Sequence, residues 1–154
     1  MTKDRVIGRD NDLPWPRIKE DMQFFKETTI NHSVIMGKNT YLSIPKKFRP
    51  LTNRYNIVIS NSMSLEIEEK EGIEIARSIP EALDKAREYR KNTFIIGGAT
   101  IYEQMLPFVE RMYISEIKGE HQGDTFFPNY NKSKWKKAYN TDFSKFELIV
   151  YDRK

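Results

Sequence analysis

Short apolar runs rich in β-branched residues recur along the chain, at 34–36, 57–59, 73–76, 94–96, 112–117 and 146–151. Runs of this length without strict alternation suit strands buried on both faces. Stretches with helical periodicity fall between most of them, at about 17–29, 39–43, 79–89 and 99–106. The alternation predicts an α/β fold with a mostly parallel central β-sheet flanked by helices. The last third shows no helical period, so an antiparallel C-terminal edge is expected. No repeat, low-complexity tract or Pro/Gly/Ser linker interrupts the pattern, and 1–154 is read as a single domain.

Within the first helix, Ile18, Met22 and Phe25 share one face with Phe24 at its flank, while Lys19, Glu20, Gln23, Lys26 and Glu27 take the other. Asp21 falls inside the apolar sector. A first-turn carboxylate favoured by the helix dipole explains Glu20 but not an acid turned inward. Desolvation raises the proton affinity of such a group, which suits proton transfer, so Asp21 is the leading ionisable candidate.

Two turns repeat one design. In FIIGGATIYEQMLP the apolar Phe94, Ile95 and Ile96 are expected to form a buried strand, followed by Gly97-Gly98 and a helix. In VIMGKNTYLSI a strand ends at Gly37 and a helix begins at Lys38, Asn39 and Thr40. Free N–H groups and the positive dipole end of such a helix attract an anion, and glycine lets a ligand approach the backbone. Lysine is a poor choice beside that dipole unless an anion sits between them. An ordinary turn explains either alone; together they suggest a dinucleotide, with Ser60 and Asn61 as further polar contacts. The fingerprint G-x-G-x-x-G is absent. Upstream, IGRDNDLPW reads as a loop whose Leu13 and Trp15 either dock it on the core or form a lid. Arg54 ends a basic loop just before a strand, where its planar fork could clamp a carboxylate.

Composition narrows the partners. The net charge is +4 and the pI about 9.2, with basic residues dispersed among acidic ones, which fits a small anion better than nucleic acid. With no cysteine and two histidines, no metal site is expected. No apolar window approaches the roughly eighteen residues of a membrane span, and the charged N-terminus resembles no signal peptide. A cytoplasmic protein with no nucleic-acid or membrane partner is expected.

Taken in order, RVIGRDNDLPW, KEDMQFFKETT, VIMGKNTYLSI, RPLTNRYNIVIS, FIIGGATIYEQMLP, MYISEI, GDTFFP and FELIVYDRK resemble the dihydrofolate reductase family from about Asp4 to the C-terminus. The resemblance implies a dihydrofolate reductase-like fold and reduction of 7,8-dihydrofolate by hydride transfer from NADPH. It makes Asp21 the pterin-pocket carboxylate that promotes protonation at N5, with Ser115 where the family often has a threonine bonded to the same acid. Met22, Phe25, Ile44 and Leu51 would line the pterin and aminobenzoyl pocket, the Ile96 carbonyl would meet the pterin amino group, and Arg54 would hold the glutamate carboxylate. Ile7, Gly8, Asn11, Leu13 and Trp15 would form the mobile lid beside the nicotinamide, supported by Asp124.

For the cofactor, the resemblance implies Lys38, Asn39 and Asn61 at the 2′-phosphate and Arg77 near the adenosine. Gly37, Thr40, Ser60, Ala99, Thr100, Ile101, Tyr102 and Thr125 complete the expected set. Gly97-Gly98 is the family's link, usually a cis peptide. Antifolates such as methotrexate are the further implied ligands, and the expected state is a monomer. Family members carry an apolar strand before DRVIG, whereas only Met1, Thr2 and Lys3 precede Asp4. The sheet is therefore expected to lack that strand. Two alternatives accompany this reading: an inactive or weakly active nucleotide-binding remnant, and a riboflavin-pathway pyrimidine reductase of the same superfamily.

Overall fold

The computed structural model describes all 154 residues except the side chain of Glu69. In chain order the elements are β1 (Val6–Gly8), α1 (Lys19–Thr29), β2 (Ser33–Gly37), α2 (Lys38–Ser43), β3 (Tyr55–Ile59), α3 (Glu66–Glu71), β4 (Glu74–Ala76), α4 (Ile79–Tyr89), β5 (Thr93–Ile95), α5 (Ala99–Met105), β6 (Arg111–Ile117), β7 (Thr125–Phe126), β8 (Trp135–Asp142) and β9 (Phe146–Arg153). The expected alternation is present, and β1, α3, β7 and β8 are additional to it. The chain separates into two compact units, Phe24–Gln104 and the pair Met1–Gln23 with Met105–Lys154. Among the described residues no helix is long and apolar enough to cross a membrane.

Phe24–Gln104 is built on a parallel sheet of four strands in the order β4-β3-β2-β5. Val34, Ile35, Met36, Ile57 and Val58 are all fully shielded from solvent. Central parallel strands covered on both faces require this continuous apolar pattern. Val34, Met36 and Val58 meet Tyr41, Met63, Ile73 and Ile75 in one core, with Ile44, Leu51, Phe94 and Ile96 packed at its margin. The α4 helix starts where the Ser78 hydroxyl accepts the Glu81 N–H at 3.2 Å, a side-chain cap for an otherwise orphaned donor. Its Ala82 and Ala86 are buried, and α4 packs on β3 and β4.

The expectation of a buried strand at 94–96 needs correction. Phe94, Ile95 and Ile96 are half-buried, not buried. The physical reason is that β5 ends the order of its sheet, with β2 on one side only, so its other edge is uncovered by a strand among the described residues. The last helix also stops at Met105 and tightens into a 3-10 turn at Leu106–Phe108, because Pro107 has no N–H for a further helical bond.

The other unit carries an antiparallel sheet in the order β6-β9-β8. On β6, Met112 and Ile114 point into a core with Trp135, flanked by Met1, Leu106, Val109, Phe127 and Tyr151; Tyr113, Ser115 and Ile117 take the opposite face, as strand geometry requires. Arg153 stacks 4.5 Å from the Trp135 ring centroid and donates to the Leu106 and Val109 carbonyls at 2.5 and 2.9 Å. The first residues follow β6 in parallel: Thr2 bridges Ile117, and the Ile117 N–H donates to the Met1 carbonyl at 2.8 Å.

Part of the expected N-terminal loop is strand, since β1 pairs antiparallel with β7. This ribbon depends on a close approach at Gly123. A Cβ there would lie 2.3 Å from the Gly8 carbonyl oxygen and 2.4 Å from Val6 Cγ1. Gly123→Ala must therefore push β1 aside. A stability loss of about 1–3 kcal/mol is expected from such overpacking, read as a lower midpoint in a thermal melt; an unchanged midpoint would contradict the packing described.

Candidate active site

Strands sealed on both faces leave polar chemistry only their ends. At the carboxyl ends of the parallel sheet stand Gly37-Lys38 after β2, Ser60, Asn61 and Ser62 after β3, Arg77 after β4, and Gly97-Gly98 after β5. From β2 the chain steps to β3 and β4 on one side, then returns to place β5 on the other side of β2. Ligands of open parallel sheets bind outside the carboxyl ends at such a reversal. Gly37 and Gly97 flank it, and the Gly37 N–H donates to the Gly97 carbonyl at 2.9 Å.

The backbone there is bare. The Gly97-Gly98 peptide is cis and Gly97 has φ +123°, a conformation side chains disfavour. Cβ atoms on Gly97 and Gly98 would stand 3.5 and 3.4 Å from Thr40 Oγ1, and one on Gly37 would stand 3.2 Å from Ile101. At the start of α2, Gly37 supplies no side-chain acceptor for the first-turn N–H groups. Ala99 and Tyr102 are half-buried and Thr100 exposed.

Lys38 and Arg77 converge on the β3 end. Lys38 Nζ donates to Ser62 Oγ at 2.9 Å, and Arg77 Nη1 donates to the Ser60 carbonyl at 2.8 Å. Ser60 Oγ accepts the N–H groups of Ser62 and Met63 at 3.2 and 3.0 Å, which holds the turn. Neither cation has a carboxylate ion-pair partner among the described residues, although Glu81 takes the Arg77 backbone N–H at 2.8 Å. Asn39 and Asn61 are exposed beside them.

At the opposite end of β3 stands Arg54. Its Nε donates to the Thr52 carbonyl at 3.0 Å and its Nη1 to Thr29 Oγ1 at 3.2 Å, with the Phe25 ring centroid 5.8 Å away. Burial lowers its proton affinity, and no acid of the chain pairs with it among the described residues. A guanidinium in this setting presents a planar fork that a carboxylate can meet with two hydrogen bonds.

In the antiparallel unit, Ser115 Oγ donates to Asp21 Oδ1 at 2.5 Å. Asp21 is half-buried while its neighbour Glu20 is exposed, the contrast that helical periodicity had separated. Burial pulls the Met1 ammonium down to about 6, against the charges of Asp21 and Glu116, and it donates to the Ser115 carbonyl at 2.8 Å. Met22 on the next helical position is exposed.

Upstream of α1, Arg9 and Asp12 exchange backbone hydrogen bonds of 2.9 and 3.0 Å around Asp10 and Asn11, whose φ values are +50° and +61°. That is a type I′ turn. Asp124 fastens it by accepting the Asp10 N–H at 3.0 Å, while its own N–H donates to the Gly8 carbonyl at 3.0 Å. Thr125 directs its hydroxyl to the Asp124 carboxylate at 2.9 Å. Trp15 is buried edge-on against His121 at 5.9 Å, and Leu13 is half exposed.

Comparison with known sequences decides the family. The pattern of dihydrofolate reductases matches residues 1–152. The chain belongs to the dihydrofolate reductase family. It is 38% identical over 152 residues to a dihydrofolate reductase of Bacillus subtilis, covering 99% of this chain and 86% of that one. With the Staphylococcus haemolyticus enzyme the identity is 41%, with 99% and 87% covered. With dihydrofolate reductase HdrB of Haloferax volcanii it is 36%, with 100% and 80% covered. The chain is thus an oxidoreductase of a family that acts on dihydrofolate with a nicotinamide cofactor, which displaces the pyrimidine-reductase alternative.

Sequence reasoning missed two residues that hold these cations: Thr29 under Arg54 and Ser62 under Lys38. The signals were faint, since a threonine one turn after Phe25 and a serine beyond a strand have ordinary local explanations.

Asp124 sets a pH dependence. The Asp10 N–H and the Thr125 hydroxyl hold its carboxyl below the ordinary value. The fastening is therefore complete above the usual carboxylate range, about 4, and is lost as pH falls through the lowered folded value. Asp124→Ala should speed hydrogen exchange at the Asp10 amide severalfold at neutral pH; unchanged exchange would show that the carboxylate does not hold the turn.

Proposed function

We propose that this chain reduces 7,8-dihydrofolate to 5,6,7,8-tetrahydrofolate with NADPH, acting as a cytoplasmic monomer and binding antifolates such as methotrexate at the same site. The observation carrying the residue assignment is the hydroxyl-held carboxylate, Ser115 Oγ to Asp21 Oδ1 at 2.5 Å. When bound, NADPH supplies the hydride that is added to pterin C6. Asp21 hydrogen-bonds the pterin amino group and adjacent ring nitrogen, with Ser115 fixing its carboxylate, and promotes delivery of a solvent proton to N5. Hydride and proton together reduce the C6–N5 double bond. The Ile96 carbonyl accepts from the pterin amino group, Met22, Phe25, Ile44 and Leu51 line the apolar pocket, and Arg54 pairs with the glutamate α-carboxylate.

The chain's groups also fit the cofactor. A Cβ on Gly37 would crowd Ile101, and Gly97 and Gly98 leave the backbone beside Thr40 without side chains, so backbone N–H groups at the starts of α2 and α5 can meet the pyrophosphate. Lys38, with Ser62, Asn39 and Asn61 beside it, meets the 2′-phosphate, and Arg77 lies toward the adenosine. Ile7, Gly8, Asn11, Leu13 and Trp15 exclude water from the nicotinamide, and Thr125 supports them through Asp124.

Cofactor oxidation followed by near-ultraviolet absorbance in the presence of dihydrofolate tests the reading; no turnover by a folded chain that binds NADPH would overturn it. Asp21→Asn should lower kcat at neutral pH by about a hundredfold or more, the scale of proton-transfer catalysis, with NADPH affinity nearly unchanged. Equal loss of cofactor binding would count against the role given to Asp21. Lys38→Ala should weaken NADPH by about tenfold and NADH little, since only the former carries the charged phosphate; equal weakening in titrations would refute the 2′-phosphate contact.

A further inference from the structure

Asn56 is a polar side chain in an otherwise apolar strand, paired with Val34 of β2 and 2% exposed. A buried amide without partners is costly, so its bonds indicate what it does. Its Oδ1 accepts the Leu51 N–H at 2.9 Å, and its Nδ2 donates to the Leu51 carbonyl at 3.0 Å and the Arg54 carbonyl at 2.8 Å. The amide thus bonds Leu51 in both directions, as an antiparallel strand would, and closes the turn between Leu51 and Arg54. Inside that turn lie Asn53 at φ +54° and the Thr52 carbonyl, the acceptor that orients Arg54 Nε at 3.0 Å. Arg54 is consequently aimed by a loop whose shape one buried side chain fixes.

We propose that Asn56 is a positioning residue for recognition of the substrate's glutamate carboxylate, acting by setting the loop that aims the Arg54 guanidinium. The inference rests on the reading of Arg54 as the carboxylate clamp. A residue that merely stabilised the fold would affect every substrate alike, whereas this role is confined to substrates that carry the glutamate.

The test compares dihydrofolate with dihydropteroate, which keeps the pterin and aminobenzoyl groups and lacks the glutamate, in steady-state kinetics with saturating NADPH. The variants are Asn56→Ala, Asn56→Asp and Arg54→Ala. Asn56→Asp keeps the side-chain volume and the acceptor for Leu51 while losing both donors. Either Asn56 variant is expected to raise KM for dihydrofolate by about tenfold, the signature of lost uniform binding, with kcat and the KM for dihydropteroate within about twofold. Arg54→Ala should show the same split. If it does while the Asn56 variants change both substrates equally, change neither, or have no turnover even on dihydropteroate, the role of Asn56 is overturned and the clamp stands. If Arg54→Ala leaves the dihydrofolate KM unchanged, the clamp reading itself fails.

Discussion

Burial of β2 and β3 on both faces constrains everything else in the central unit. A polar side chain in a strand with no exposed face costs stability unless its hydrogen bonds are met within the protein. Charged groups are accordingly displaced to the strand ends. Lys38, Ser60, Ser62 and Arg77 gather at the carboxyl ends, and Arg54 stands before the first residue of β3. Asn56 lies within β3 with its amide occupied by Leu51 and Arg54, and Ser33, fully buried at the first residue of β2, keeps a hydroxyl without a partner. The sheet therefore sets both the stability of the unit and the places where chemistry can occur.

The antiparallel unit works under a looser rule, because β6 turns Met112 and Ile114 into the Trp135 core and Ser115 to the opposite face. Ser115 stands on that second face. A two-residue period puts it beyond the core residues Met112 and Ile114, where its hydroxyl reaches Asp21. The same unit fastens its N-terminal turn with a carboxylate: Asp124 takes a backbone N–H from the type I′ turn and a hydroxyl from Thr125. Asp21 and Asp124 are thus each held by a hydroxyl, Ser115 for the first and Thr125 for the second.

Hydrophobic patterning was most informative where burial was complete. The runs at 34–36 and 57–59 correspond to β2 and β3, and Ile79–Tyr89 is α4 to the residue. It failed for β8, of which Trp135 alone is buried and the next seven residues are exposed. Lysines and an irregular register between Lys137 and Tyr139 suit an edge strand that must not recruit another strand, and they erase the apolar signal. β1 and β7 are too short to carry a pattern, and α3 is almost wholly charged. For the site, periodicity separated Asp21 from Glu20 because a helix turns by a fixed angle. No local rule could pair Asp21 with Ser115 or Lys38 with Ser62, since each contact joins distant positions in the chain.

By itself the sequence determined the α/β class, the order of most elements, the glycine turns at 37 and 97–98, and the family, because buried strands, helices and close backbone approach each demand a local residue pattern. Tertiary structure alone decided which polar groups meet. It returned β5 to the far side of β2, left Phe94–Ile96 half-buried at a sheet edge, and aimed Arg54 through Thr29, Thr52 and Asn56. Those outcomes depend on strand order and on hydrogen-bond satisfaction in a buried interior, which are properties of the assembled sheet and are written in no single stretch of the chain.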